Sequence, residues 1–290
     1  MITLTNEEIL SLRELYNSGL SSWAIGKKFN LDHKTILSHL KKLNVVRRDR
    51  SSAAKEGVKF GRIIIRRNHI PKDLEINEDL AYIFGVLAGD GFMDYSNKRR
   101  NYNIGLSATD KEFVDYFRVV IIRYFNINSS SEFQKSKHIK WNDKYITRLC
   151  SKEACDFINQ FGDFKNYNWK VPKIIKDSST SIKCAFVKGF FDSEGEIDKK
   201  IGRVGASSMN LIGLKDVGNL LFSLGIRYTI IKKKDNRPNT HQKYVLRIHD
   251  KKSLELFNKY IGFTIRRKQE VLNKFIPIIS NEKRLLGEKN

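Results

Sequence analysis

The sequence predicts an α+β protein in which a small all-α unit precedes two pseudo-symmetric copies of one mixed half. Three observations predict it. Residues 1 to about 45 carry apolar side chains at helical spacing, interrupted by tight breaks. A strongly basic stretch follows at 47–67. From Ile76 onward, three landmarks recur in the same order at nearly one offset. The expected boundaries are an all-α unit at 1–46, a linker at 47–75, a first half at 76–176 and a second half at 177–290.

The first helix opens at Thr5, a Ser/Thr cap with Glu8 three residues on, as in a capping box. Ile9, Leu12, Leu15 and Tyr16 follow at helical spacing, and Asn17-Ser18-Gly19 ends the run. Ser22 to Phe29 and His33 to Leu43 read as two short amphipathic helices around a turn at Asn30-Leu31-Asp32. A helix-turn-helix needs this arrangement, with one helix packing and the other lying in the major groove. The segment resembles the DNA-binding end of resolvases and invertases. On that reading His33, Lys34, Thr35, Ser38 and His39 touch DNA, joined by Arg47 and Arg48; a three-helix unit that mediates protein contacts is the alternative.

Residues 47–67 hold eight Lys and Arg (Arg47, Arg48, Arg50, Lys55, Lys59, Arg62, Arg66, Arg67) against Asp49 and Glu56, with Ser51, Ser52 and Gly57 among them. This composition predicts a flexible basic connector. It is either an arm that tracks phosphates or the minor groove, or a solvated linker.

The repeat is carried by three landmarks. Ile83 to Gly91 matches Val187 to Gly195, setting Asp90 104 residues before Glu194. Lys144 to Leu149 matches Lys243 to Ile248, with Tyr145 99 residues before Tyr244. Phe157 to Gly162 matches Phe257 to Gly262, with Gly162 100 residues before Gly262. The second half is therefore a divergent copy of the first. In the first copy a helix ends near Asp90 and Tyr102 to Ser107 is extended. Asp110 caps a helix through Phe125, strand-like Ile139 to Leu149 follows, and Ser151 caps the next helix. The second copy repeats this with Val204 to Ser207, a helix Leu211 to Leu224, strands Tyr228–Ile231 and Tyr244–Ile248, and a helix after Asp250.

Gly85 and Gly89 in one copy, and Gly189 and Ser193 in the other, lie four apart on one helix face. Glycine inside a helix costs about 1 kcal/mol, so the placement implies close packing of two backbones. Face-to-face packing would set the C-terminal ends side by side, and those ends carry Asp90 and Glu194. The helix dipole is negative there and the acids face each other, so a divalent cation is the natural compensation. Taken singly, Asp90-Gly91 and Glu194-Gly195 read as helix stops with glycine in the left-handed position. Taken together in matched context, they read as a metal site.

These residues resemble the LAGLIDADG family, specifically its single-chain, two-motif branch. Gly85 to Gly91 and Gly189 to Gly195 match its motif, and the second copy is the better match. Ala88 stands where the motif has its earlier Asp, a position that does not bind metal. The resemblance implies αββαββα halves, a β-saddle over double-stranded DNA with a long recognition site, and cleavage across the minor groove. It implies that Asp90 and Glu194 hold Mg2+, with Mn2+ as a substitute. It also implies one lysine near the metal in each half: Lys268 in the second, and in the first the position of Trp169, with Lys170 one residue later. Base readers or phosphate contacts are expected on alternate strand residues, with Arg148, Arg247, Lys232, Lys234 and Gln134 as candidates.

The bulk properties agree. With 54 Lys+Arg against 32 Asp+Glu, the net charge is +22, which calls for a polyanionic partner. No run approaches the roughly 20 apolar residues of a membrane span, and Met1 to Leu10, with Glu7 and Glu8, lacks the order of a signal peptide. Cys150, Cys155 and Cys184 form no CxxC pair, which suits packing in a reducing cytosol and argues against a disulfide frame or zinc site. His138, His241 and His249 lack metal-ligand spacing. Met1 and Asn290 do not resemble intein splice junctions, so a free-standing or intron-encoded chain is expected. The reading is a cytoplasmic, nucleoid-associated, monomeric homing endonuclease. The alternatives are a regulator on the same fold without catalysis and a maturase acting on intron RNA.

Overall fold

The α1 helix (Asn6–Asn17) starts as its sequence dictates: Glu8 N–H donates to Thr5 Oγ1 at 3.3 Å, and Thr5 N–H donates back to Glu8 Oε2 at 2.8 Å. The computed structural model describes residues 4–59, 69–138, 141–164, 168–233 and 242–276, and contacts divide the chain into two units, Met1–Arg67 and Asn68–Asn290. In the first unit, α2 (Ser22–Phe29) is capped by Ser21 and α3 (His33–Lys42) by Asp32, with Asn30 left-handed between them at φ 54°. Leu12, Tyr16, Ile25, Ile36 and Leu40 form its core. The basic connector departs from expectation, since Arg50–Lys59 form a helix, α4, started by Asp49 accepting from Ser52 N–H at 2.9 Å.

The second unit repeats one motif. Its first copy is α5 (Glu78–Leu87), β1 (Gly91–Ser96), β2 (Asn101–Ala108), α6 (Lys111–Phe125), β3 (Ser130–Gln134), β4 (Lys144–Cys150) and α7 (Lys152–Asn159). A short helix, α8 (Lys173–Lys176), leads to the second copy: α9 (Thr180–Glu194), β5 (Gly195–Ile197), β6 (Val204–Ser208), α10 (Leu211–Ser223), β7 (Thr229–Lys233), β8 (Lys243–Ile248) and α11 (Lys251–Tyr260). One further helix, α12 (Arg266–Phe275), follows. The antiparallel sheets have matching orders, β1-β2-β4-β3 and β5-β6-β8-β7. This is the expected α+β pair of αββαββα halves. Strands β1, β3 and β5 had no signal in the sequence of their own, and Ile139, expected as strand, lies outside the described residues.

One face of each sheet packs on helices: Ile104, Leu106 and Leu149 in the first and Leu246 and Ile248 in the second are buried in a core shared by both halves. Among the cysteines, Cys155 and Cys184 are buried as expected, but Cys150 is exposed and donates to Asn103 Oδ1 at 2.7 Å. Ser151 and Asp250 cap α7 and α11 as expected. Asp110 stands at the start of α6 but its side chain bonds none of the helix N–H groups. Among the described residues no helix is long and apolar enough to cross a membrane.

Candidate active site

The small residues of α5 and α9 decide where the acids sit. A Cβ on Gly85 would lie 2.1 Å from the Phe186 carbonyl oxygen and 2.8 Å from Phe190 N. A Cβ on Gly189 would lie 2.3 Å from the Tyr82 carbonyl oxygen and 3.0 Å from Val86 N. These contacts are reciprocal, with each glycine facing the residues equivalent to its own flanks, so α5 and α9 cross about a local twofold. Further along, a Cβ on Gly89 would come within 2.4 Å of Ser193 Cβ. The helices abut backbone to backbone up to the point where Asp90 and Glu194 leave them.

The helix-stop reading of Gly91 and Gly195 needs correction. Gly195 is extended at φ −76° and ψ 141°, and Gly91 is not among the glycines with positive φ. Glycine is required for space: a Cβ would meet Val86 O at 2.8 Å from Gly91, and Phe191 O at 2.2 Å from Gly195. The chain turns from helix to strand against the last helical carbonyls, and this sharp exit holds each acid at the mouth between helix and sheet.

Two cavities flank the helix pair and are equivalent under the repeat. One, about 480 Å³, is lined by Asp90, Lys144, Asp192, Glu196, Arg267 and Lys268, among others. The other, about 520 Å³, is lined by Phe92, Phe164, Trp169, Glu194, Met209 and Lys243, among others. Lys144 and Lys243 are matched across the repeat and face Asp90 and Glu194. Both stood at the head of a repeat landmark in the sequence, but nothing there assigned them to the acids.

The electrostatics follow from crowding. Burial, and after it the charge of Asp90, push the Glu194 carboxyl up from 4.5 to about 7, against the pull of Lys243 and Lys268. Asp90 is also raised, by loss of hydration, against Lys268 and Lys144. It remains open to solvent on one side; a carboxylate on a concave floor can be reachable and still poorly hydrated. Lys268 is buried, and burial lowers its affinity for a proton. Its Nζ donates to the Asp192 carbonyl oxygen at 3.0 Å and lies 5.5 Å from the Phe263 ring centre. Asp192, buried at the motif position that is Ala88 in the first half, accepts from Tyr82 Oη at 2.9 Å and Thr264 N–H at 2.7 Å.

The two cavities differ where the lysine was expected. Trp169 fills that place in the first half, 4% exposed, with its ring against Gly213 and 5.4 Å from the Phe190 ring centre. Lys170 is exposed and lines neither cavity. The sequence reading of Lys170 as a catalytic lysine is not supported by its position.

The outer face of the sheets carries basic side chains at equivalent places. Arg148 pairs in register with Gly105, and Arg247 with Gly205. Register also settles which neighbours share that face. Gln134 pairs with Lys144, on the face of Arg148. Lys233 pairs with Lys243, on the face of Arg247, whereas Lys232 pairs with Tyr244 and points with Leu246 to the opposite side. Lys233, not Lys232, is therefore on the cavity side. Lys234 and His241 lie outside the described residues, and His249 is exposed.

In the first unit, Lys34, Thr35 and Ser38 share an exposed stripe of α3, with His39 half-buried beside it and Arg47 exposed beyond it. His33 is half-buried, its ring stacked on Trp23 at 3.9 Å, so it braces α2 against α3. Arg48 turns inward. Its guanidinium lies 4.0 Å from the Tyr16 ring centre and donates to the Leu20 carbonyl at 2.5 Å. Its expected place among the DNA contacts gives way to a structural one.

Comparison with known proteins agrees with this geometry. A family model described as a LAGLIDADG-like domain matches residues 181–262, the body of the second half. An uncharacterised protein of Methanocaldococcus jannaschii is 30% identical over 215 residues, covering 70% of this chain and 73% of that one. The chain belongs to the LAGLIDADG family. The homing endonuclease I-ApeI of Aeropyrum pernix is 26% identical over 205 residues, 68% of this chain and 86% of that one. A glutamine–fructose-6-phosphate aminotransferase of M. jannaschii is 28% identical over 230 residues; they are 76% of this chain, which spans only 20% of that relative. The homing endonuclease I-WcaI, solved bound to its DNA recognition sequence, shares the fold with TM-score 0.51 and 14% identity. The match covers 79% of this chain and 97% of that one.

Proposed function

We propose that this chain is a homing endonuclease that cuts both strands of duplex DNA at a long recognition site, as a monomer, with a divalent cation. The observation that carries it is the pair Asp90 and Glu194. They are two acids on a local twofold, beside two equivalent cavities, and their carboxylates take no hydrogen bond or ion pair among the described residues. Two under-hydrated carboxylates beside negative helix ends suit a cation, and burial raises the proton affinity of both. Among the described residues no three His, Cys, Asp or Glu side chains converge to hold a metal. The remaining ligands would be phosphate oxygens and water, the habit of magnesium, for which manganese substitutes. Such an ion, when bound, supplies charge that stabilises the phosphoryl transition state and makes water more acidic.

The chain's own residues then have distinct tasks. Asp90 and Glu194 hold the ion. Lys268, kept in place by the Asp192 carbonyl, sets a positive charge beside the scissile phosphate on the Asp90 side. Lys144 and Lys243 flank the acids and attract phosphate. Arg148, Arg247, Gln134 and Lys233 offer the sheet face to the grooves, and Lys34, Thr35, Ser38 and His39, with Arg47, offer a second contact from the helix-turn-helix.

The test is cleavage of a plasmid library carrying randomised sites, with Mg2+ or Ca2+, for the native chain, Asp90→Asn and Glu194→Gln. Linear product with Mg2+, lost in either variant while binding persists, is the expected result. Salt-sensitive binding to a preferred sequence, with no cut under any divalent cation, would sink the proposal and favour a DNA-binding regulator.

A further inference from the structure

Each half ends in a segment that crosses to the other half, and the same repeat position receives it in both copies. Asn210, preceding α10, accepts from Gly213 N–H at 3.0 Å to cap its own helix and donates Nδ2–H to the Trp169 carbonyl at 2.5 Å. Asp216 on the same helix accepts from Val171 N–H at 3.1 Å. The first half's terminal segment is thereby pinned to the second half.

Asp110, 100 residues earlier at the matching place before α6, behaves differently. It caps nothing. Both of its oxygens go to Arg267 of the second half, which donates from Nε at 2.9 Å and Nη2 at 2.7 Å. A carboxylate cannot donate to a carbonyl as Asn210 does, but its two oxygens match a guanidinium fork. Glu112, two residues on, accepts from Arg266 N–H at 2.9 Å. The two residues immediately before Lys268 are thus held by the first half, and Asp110, Arg267, Lys268 and Asp90 line one cavity. A helix start that forgoes its cap breaks a local rule, and such breaks gather at working sites.

We propose that Asp110 is a positioning residue for one strand's cleavage: through Arg267 it fixes the start of α12 and hence the ammonium of Lys268 on the Asp90 side. The proposal rests on the endonuclease reading. Its counterpart, Asn210 to Trp169, positions a ring and no charge, so the device serves one cavity only.

Strand-resolved nicking tests it, with each strand of the cleaved site labelled separately. The strand whose cut is slowed by Lys268→Met defines the Lys268 side. Asp110→Asn keeps the size of the side chain and places at the helix start a residue that suits it, while the charged fork is lost. It is expected to slow that strand about tenfold or more, as sub-ångström displacement of a reacting group does, and to leave the other strand's rate unchanged. Arg267→Gln should reproduce the effect, and the double variant should be no slower than either single one. If Asp110→Asn slows both strands equally, or neither, the positioning role is overturned while the endonuclease reading stands. A native chain that leaves both strands whole overturns the reading and the role together.

Discussion

Replacing Glu194 by Gln should stabilise the metal-free protein at alkaline pH and do nothing to it in acid. The folded protein holds the Glu194 proton up to about 7, where the unfolded chain releases it near 4.5. A raised acid contributes its full stability below the unfolded value, and that contribution is lost as pH rises through the folded one. The difference is at most about 3 kcal/mol, and water reaching the half-buried carboxyl reduces it to about 1–2 kcal/mol. Urea denaturation with a chelator present, at about pH 8.5 and about pH 4, reads this as a shift in midpoint at constant slope. Adding Mg2+ at the higher pH should then stabilise the native chain more than the variant, because only the native site gains a ligand for its charge. Equal stability of the two proteins at high pH, or a native chain more stable there without metal, would refute the claim that the acid sits uncompensated.

Gly85→Ala should cost about 2 kcal/mol in the same urea assay, net of the roughly 1 kcal/mol that alanine gains in a helix, because the new methyl meets backbone atoms that cannot rotate away; a stability gain would show that α5 and α9 do not abut. The native chain should nick its two strands at unequal rates, with an open-circular intermediate accumulating. Lys268→Met should slow the faster cut and Lys170→Ala neither, since Trp169 leaves the Glu194 side without an equivalent buried lysine; simultaneous cuts that both respond to Lys170 would reverse this assignment. Arg48→Ala should destabilise the N-terminal unit by about 1–2 kcal/mol through loss of the Tyr16 contact and the Leu20 bond. Faster hydrogen exchange in α1 to α3 is the check, and unchanged exchange would return Arg48 to the DNA-facing set.

The two halves are equivalent in fold but not in chemistry, and the difference is concentrated at three matched positions. Ala88 stands against Asp192, Trp169 against the lysine place of the second half, and Asn210 against Asp110. Without an acid at 88 there is no counterpart to the Asp192 anchor on Tyr82 and Thr264. The half with the anchor is also the one with the buried lysine.

Much of this was legible in the residues because it is encoded between near neighbours. The Thr5–Glu8 box, the Ser151 and Asp250 caps and the four-residue spacing of Gly85 and Gly89 act within a turn of helix, so the local sequence carries the whole cause. The repeat implies the twofold, and the twofold sets Asp90 beside Glu194. What the sequence could not decide depends on partners far along the chain. Lys232 and Lys233 differ by one residue, and only the pairing of Lys233 with Lys243 tells which of them faces the cavity. Arg48 turns inward because Tyr16 and Leu20 lie beneath it. Gly91 and Gly195 are glycine for want of room beside a carbonyl, not for a left-handed turn. Asp110 looks like a cap in sequence and acts as a clamp, because the arginine that claims it arrives 157 residues later. Local propensity fixes what an element is; which side of it meets the chemistry is set by register and by where the chain returns.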